Sequence, residues 1–442
     1  MIEVDPKKCR AWAAEVVRRL RAADFTAYWA GGCVRDELMG RTPKDYDVAT
    51  DATPDRVREV FGKRRTKFIG AAFGVVQVLG PRAAGAVEVA TFRSDATYSD
   101  GRRPDAVTFS TPDVDARRRD FTVNGLFYDP EAEQVIDFVE GQVDIARKLI
   151  RAIGDPAARF SEDKLRMLRA VRLAVTLDFE IDEQTKDAIT RMAPDVTAIS
   201  AERLAQELQL VLVSAQPGRG VRLLCETRLL GALLPEVAAL AGQTTGVDGP
   251  SEPEFDFLDY TERLVQRLAP AEFPLAMAAL LHAVARMADT SERADLLRAI
   301  AQRLRLSNRE NETIVWLVGH QRALVDAPQM PWSQLQPLIV DPRFDELLAL
   351  HAAHAELRGE STEPLEYCRR QAARPTEELN PRPLLTGSDL IDHNVPQGPA
   401  YARLLARVRA AQLDGEIHSR SQALKLVDDL LASGIDDSEK TR

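Results

Sequence analysis

Residues 31–47, GGCVRDELMGRTPKDYD, end in two carboxylates, Asp45 and Asp47, two positions apart. In an extended strand, residues i and i+2 project to the same face, so this pair is forced side by side. Two like charges that close repel unless a cation lies between them, and a hard divalent cation taking oxygen ligands is the usual solution. Upstream, Gly31-Gly32 opens CVRDELMG, which reads as a short helix. A glycine turn at a helix start offers backbone N–H groups to an anion such as phosphate, and Arg35 adds a charged donor one turn in. A DxD pair alone is usually a solvated turn, and a lone Gly-Gly is a weaker signal still. Together, a phosphate cradle beside a metal-binding carboxylate pair points to phosphoryl or nucleotidyl transfer.

The chain has 442 residues, which predicts two to four domains. A hydrophobic content of 45% with 29% charged residues is that of a water-soluble globular protein. A formal net charge of −10 argues against coating nucleic acid by bulk charge, though not against a local basic surface. Arginines cluster at 102–103, 117–119 and 164–172, with acidic residues interleaved. The four cysteines, Cys9, Cys33, Cys225 and Cys368, form no CxxC, so neither a disulfide framework nor a zinc site is implied and a cytoplasmic location is expected. The first apolar run carries Lys7, Lys8, Arg10, Glu15, Arg18 and Arg19 and reads as an amphipathic helix, not a signal peptide. No apolar stretch reaches the ~18 residues of a membrane span.

Residues 25–30 (FTAYWA) read as a strand entering the glycine turn, and TPKDYDVAT as a strand carrying the DxD pair. PDRVREVF (54–61) reads as a short helix, GVVQVLG and AVEVATFR as a hairpin-like pair, and DAVTFS and VIDFV as further strands. Residues 1–150 are therefore expected to form a small mixed α/β domain around a mostly antiparallel sheet. From about 155 onward helix-period patterns take over, as in DKLRMLRAVRLAVTL and AERLAQELQLVLV. Gly/Pro/Ser-rich breaks fall at 241–256, 325–333 and 374–384. The expected class is α+β: a catalytic head (1–150), a helical neck (151–215), a helical body (216–375) and a helical tail (376–442).

GG-x-VRD, a spacer ending in GR, and then DxD resembles the catalytic head of the nucleotidyltransferases shared by CCA-adding tRNA nucleotidyltransferases and bacterial poly(A) polymerases. The resemblance implies Asp45 and Asp47 as ligands of Mg2+, with two ions serving an in-line displacement. Glu88, in VEVATFR, is the candidate third carboxylate. Its neighbours Val87 and Val89 face the other way, so pattern alone leaves it either solvent-facing or catalytic, and the resemblance implies the second. RRRDFTVN (117–124) resembles the family's RRDF-x-x-N motif. In that reading Arg118 and Arg119 engage phosphates through their forked donors, while Asp120 and Asn124 meet ribose hydroxyls. Gly31, Gly32 and Arg35 complete the nucleotide cradle.

RFSEDKLRMLRAVR (159–172) carries an argument about base choice. On one helix, Asp163 and Arg166 are three apart and share a face. A carboxylate only accepts hydrogen bonds and a guanidinium only donates them. Cytosine and adenine both present an amino donor beside a ring-nitrogen acceptor, whereas guanine and uracil present the reverse. An Asp/Arg pair therefore selects C and A without a template, at roughly 1–3 kcal/mol per mismatched contact. Taken alone, the pair reads better as a surface ion pair; with the upstream motifs it resembles the family's EDxxR. Arg169 and Arg172 continue that side of the helix toward the triphosphate. SAERLAQEL (200–208) resembles the helix that buttresses the base-selecting one, and Glu202 and Arg203 read as structural.

TFRSDATYSDGRRPDAVTF (91–109) resembles the flexible loop of enzymes able to add the terminal A. Residues 384–424 resemble the tail of long bacterial CCA-adding and A-adding enzymes and imply a grip on tRNA. FPLAMAALLHAVARM (273–287) sits where some relatives carry an HD phosphohydrolase domain, but His282 is followed by Ala283, so no phosphatase activity is expected. His351-x-x-His354 reads as two surface histidines. The leading expectation is an enzyme that builds the CCA end of tRNA from CTP and ATP. The alternatives are an A-adding enzyme, a poly(A) polymerase, an inactive RNA-binding protein and a small-molecule nucleotidyltransferase. No membrane partner is expected, and oligomeric state stays open.

Overall fold

The computed structural model describes residues 5–70, 74–95, 107–243, 256–284, 290–395, 398 and 400–433. The DGRRP segment (100–104) and most of the 241–256 break lie outside the described residues. Two units emerge: Met1–Gln243 with Ile300–Leu306, and Thr244–Ala299 with Ser307–Arg442.

The first unit begins with α1 (Pro6–Ala22), capped by Asp5, whose carboxylate accepts from the Lys7 and Lys8 backbone N–H groups. Cys9, Trp12, Ala13, Val16, Val17 and Leu20 recur at the helical period and are buried. Then follow β1 (Ala27–Ala30), α2 (Gly32–Leu38), β2 (Asp47–Thr50), α3 (Pro54–Phe61), β3 (Thr66–Gly70), β4 (Val75–Leu79) and β5 (Ala86–Thr91). A separate ladder pairs β6 (Arg93–Asp95) with β7 (Val107–Phe109). After α4 (Pro112–Arg117), β8 (Leu126–Asp129) and β9 (Gln134–Asp137) complete the main sheet, followed by α5 (Gly141–Arg147). The sheet order is β3-β4-β5-β2-β1-β8-β9. Every neighbouring pair is antiparallel except β2 and β5, which run parallel. The mostly antiparallel head expected from the sequence is thus the observed one.

One sheet face is covered by α1 and α3, where Trp12, Val16, Trp29, Val48, Val57, Val76 and Val89 form a single core. Burying each large apolar side chain there contributes roughly 1.5–3 kcal/mol. The opposite face carries a smaller cluster of Ala30, Ala49, Phe92, Ala116 and Phe127. The small alanines leave room above that face, and the candidate site occupies it.

Helices take over after β10 (Leu149–Ile150): α6 (Pro156–Glu162), α7 (Leu165–Leu177), α8 (Glu183–Met192) and α9 (Ala201–Leu212). One short strand, β11 (Glu180–Ile181), lies among them and pairs in parallel with β10, where the sequence pattern carried no strand signal. The second unit is helical in its described residues. Its C-terminal portion has its own core of Leu390, Leu404, Val408, Ala423 and Val427, and Ser419 caps the final helix by accepting from the Gln422 N–H.

His351 and His354 are not surface residues: they are 5% and 7% exposed. Their helix, Phe344–Arg358, is buried on most sides, so both rings are carried inside. The Tyr260 hydroxyl lies 2.6 Å from His354 Nδ1, and the Thr261 hydroxyl 3.2 Å from His282 Nε2. Burial pushes His351 down to about 4 and His354 well below the usual imidazole range, so both are neutral at pH 7.

Candidate active site

The parallel β2–β5 pairing sets Asp47 directly across from Glu88. Residues paired across strands share a face, and Val87 and Val89 point into the core on the other side. Only Asp47 belongs to β2; Asp45 lies just ahead of the strand. The alternation nevertheless holds through it, with Asp45 and Asp47 exposed and Tyr46 buried between them. Tyr46 is anchored from behind. Its hydroxyl donates to Glu37 Oε1 on α2 at 2.5 Å, and Arg10 Nε donates to the same oxygen at 2.9 Å. The Tyr46 ring meets Trp29 edge-on at 4.9 Å. The glycine-turn helix and the carboxylate pair are therefore tied together through one buried tyrosine.

Asp47 is pushed up to about 6, first by partial desolvation in the pocket wall and then by repulsion from Asp45 and Glu88, with Arg119 opposing. Oxygen donors that destabilise one another in this way suit a divalent cation. Among the described residues, no three His, Cys, Asp or Glu side chains already stand where they could hold a metal ion. The carboxylates would supply only part of the oxygen shell of such a cation.

Beside Asp47 opens a pocket of about 500 Å³ lined by Gly31, Gly32, Asp47, Asp120, Asn124, Asp163 and seven arginines: Arg35, Arg93, Arg118, Arg119, Arg166, Arg169 and Arg172. Seven guanidinium groups against three carboxylates suit a polyanion such as a triphosphate. Gly31 has φ +76° and caps α2 without a side chain. The positive φ is what calls for glycine, and a Cβ there would also stand 2.9 Å from Arg119 Nη1, displacing that guanidinium. Arg35 Nη1 donates to Asn124 Oδ1 at 2.6 Å, and Asn124 Nδ2 donates to Asp120 Oδ1 at 3.2 Å. Asp120 is ion-paired with Arg169 at 2.9 Å, and Arg172 with Glu207 on α9 at 2.7 Å. Burial alone would raise Asp120, but Arg169 and the Asn124 hydrogen bond hold it below the usual carboxylate range. Asp120 is 7% exposed, lines the pocket and orients Asn124 and Arg169.

The expectation that Asp163 and Arg166 share one helix face is corrected. Asp163 ends α6 in an extended conformation (φ −142°, ψ 105°), and α7 starts two residues later. Asp163 instead stands between the two helices, with Oδ1 accepting from the Leu165 N–H at 3.1 Å. Its other oxygen, Oδ2, accepts from Arg203 of α9 at 3.0 Å. Arg166 is 8% exposed, and it donates to Glu162 Oε2 at 2.5 Å, to the Arg159 carbonyl at 2.9 Å and to the Arg118 carbonyl at 3.2 Å. Both residues still line the pocket, brought together by the helix break. Ser200 is the N-cap of α9, though its side chain makes no capping hydrogen bond.

Two contributors escaped the sequence reading. Asp115 on α4 is 1% exposed and holds Arg118 Nε at 2.8 Å and Arg119 Nη2 at 3.0 Å. Burial would raise its carboxyl, but Arg119 and Arg118 bring it below the usual range. Arg93, whose backbone N–H lies 3.3 Å from Asp115 Oδ1, joins the pocket wall. Asp115 stands in no recognisable motif, and Arg93, though inside the 91–109 segment, was given no role there; the α4 fold-back brings the two together.

Residues 27–151 match the family of poly A polymerase head domains, and residues 178–240 match the family described as the probable RNA- and SrmB-binding site of polymerase A. The chain is 37% identical over 246 residues to the CCA-adding enzyme of Streptococcus suis, covering 55% of this chain and 60% of that protein. It is 35% identical over 249 residues to poly(A) polymerase I of Haemophilus influenzae, covering 54% of each. These matches span between half and three fifths of the curated relatives' length. Among solved structures, the Bacillus stearothermophilus CCA-adding enzyme in complex with CTP superposes with a TM-score of 0.70 at 28% identity, covering 95% of this chain and 97% of that one. No helix among the described residues is long and apolar enough to cross a membrane. Residues 27–151 of this chain are thus a poly A polymerase head domain and residues 178–240 its RNA-binding region, in a fold similar to that of the CCA-adding enzyme.

Proposed function

We propose that this protein is a template-independent RNA nucleotidyltransferase that builds or repairs the 3′-terminal CCA of tRNA from CTP and ATP, in the cytoplasm. The observation that carries this reading is the pocket that joins Asp47 to Asp163 and Arg166 through a wall of arginines. In this reading the carboxylates of Asp45 and Asp47, aided by Glu88, hold Mg2+. Two such ions would supply activation of the primer 3′-hydroxyl and neutralisation of the departing pyrophosphate. Gly31, Gly32, Arg35, Arg119, Arg169 and Arg172 cradle the triphosphate, and Asn124 and Asp120 hold the arginine wall in register.

Asp163 and Arg166 read the base. Each has hydrogen bonds to the protein already, but a carboxylate oxygen keeps a second acceptor site and a guanidinium has five donors. Prior anchoring of this kind preorganises the pair for one donor–acceptor pattern, that of C and A. Residues 1–150, 151–215, 216–375 and 376–442 then serve as catalytic head, base-selecting neck, body and tRNA-gripping tail.

The similarity to a poly(A) polymerase keeps a second reading alive, addition of A alone. A primer-extension assay with Mg2+ separates them, using tRNA ending at the discriminator base, at C and at CC, plus an unstructured RNA, with each nucleoside triphosphate supplied singly and CTP with ATP together. Completion of CCA on all three tRNAs supports the proposal. A single A on the CC end alone identifies an A-adding enzyme, and long A tails on unstructured RNA identify a poly(A) polymerase.

A further inference from the structure

A row of directly paired residues crosses the head sheet from its centre to its edge. Asp47 of β2 pairs with Glu88 of β5, Glu88 with Gln77 of β4, and Gln77 with Lys67 of β3. Residues in such a row project to one face, so Lys67 shares the face of the two carboxylates. Strands stand about 4.8 Å apart, which sets Lys67 about 10 Å from Glu88. β3 is the edge strand of this sheet.

The same edge is strongly basic. Lys63, Arg64, Arg65 and Lys67 fall within five residues with no acid between them, and all four are exposed. Among the described residues none of the four makes an ion pair. Some exposed arginines on this unit are neutralised, as Arg56 is by Glu59 and Arg18 and Arg19 are by Glu15, but nowhere else there do four such cations stand within five residues without an acid. In a chain of net charge −10, four uncompensated cations at the open end of the carboxylate row mark a place where an anionic chain is received.

We propose that the β3 edge is the track along which the single-stranded 3′ end of the RNA primer reaches the carboxylates, its backbone phosphates held by Lys63, Arg64, Arg65 and Lys67. The proposal rests on the reading of the pocket as an RNA nucleotidyltransferase site. Gln77, uncharged and half-buried between Lys67 and Glu88, lets the strand approach the carboxylates without drawing a phosphate onto them. Cations on an edge strand also guard against pairing with another chain, and that simpler role makes a different forecast.

The test is the full-length Lys63→Gln/Arg64→Gln/Arg65→Gln/Lys67→Gln variant, compared with wild type by fluorescence anisotropy on labelled tRNA ending in CC across a salt series, and by steady-state addition. Four lost phosphate contacts should lower the log–log salt slope by about 3, at about 0.7 per single-strand contact, and weaken RNA affinity roughly 10- to 100-fold near physiological salt. KM for ATP and kcat should stay within about twofold. An unchanged slope and affinity would overturn the track, as would self-association of the variant in sedimentation with RNA binding intact. Should wild type bind RNA through this edge yet add no nucleotide, the track would stand and the transferase reading would fall.

Discussion

Arg203 Nη2 stands 3.0 Å from Asp163 Oδ2, across 40 positions of sequence. The carboxylate proposed to read the base is therefore held by a distant helix as well as by the local Leu165 N–H. Arg203→Ala should leave Asp163 free to swing, relaxing choice among nucleotides and raising KM for CTP and ATP by about tenfold, the worth of one charge-assisted hydrogen bond. Arg203→Lys should recover part of the loss. Misincorporation of GTP and UTP in single-nucleotide extension checks this, and unchanged selectivity would contradict it.

Tyr46 sits between the two carboxylates of the DxD pair and is tied to α2 by Glu37. Tyr46→Phe keeps the ring against Trp29 but removes that hydrogen bond, with a stability cost of about 1.5–3 kcal/mol for a bond to a charged partner. Urea unfolding measures this cost. Loosening the carboxylates should also raise the Mg2+ concentration needed for half-maximal turnover, which a purely structural role for Tyr46 would not do.

Asp115 neutralises Arg118 and Arg119 while itself 1% exposed. Asp115→Asn leaves two crowded guanidinium groups without their counter-charge, and removing one partner of such a buried pair costs about 3–5 kcal/mol. The variant should show a lowered Tm and, where folded, a KM for ATP and CTP raised by at least about tenfold. Asp113→Asn, on an exposed side of the same helix, should do neither.

Acid should loosen the second unit. Burial lowers the pKa of His351 from 6.5 to about 4, and that of His354 well below the usual imidazole range. Above pH 6.5 both are neutral whether folded or unfolded. As pH falls below 6.5 the unfolded chain takes up protons that the folded one refuses, so stability is lost down to pH 4. The slope is about 1.4 kcal/mol per pH unit for each histidine. Denaturant melts at pH 7, 6, 5 and 4 should show this decline, and His351→Gln should flatten it. A wild-type curve flat between pH 6.5 and 4 would contradict the burial account.

The glycine turn, the DxD pair and Glu88 could be read from the chain because each depends on local alternation, which a strand preserves wherever it packs. The mostly antiparallel head followed the same logic. The break between α6 and α7 could not. SEDK contains neither Gly nor Pro, and one of the two bonds the Asp163 carboxylate makes at the break comes from Arg203, 40 positions away. Arg93 and Asp115 depend on a fold-back between distant segments. His351 and His354 looked exposed because two histidines at that spacing say nothing of the helices packed around them, and Tyr260 and Thr261 lie on another helix altogether.

The central claim is that the carboxylate pair drives nucleotide addition in this pocket. Single-turnover addition of ATP to tRNA ending in CC, with wild type and Asp47→Asn at saturating Mg2+, tests it most directly when tRNA affinity is measured beside it. The account expects a rate loss of at least ~10³-fold, with tRNA binding within about twofold of wild type. Near-normal turnover by Asp47→Asn would contradict it.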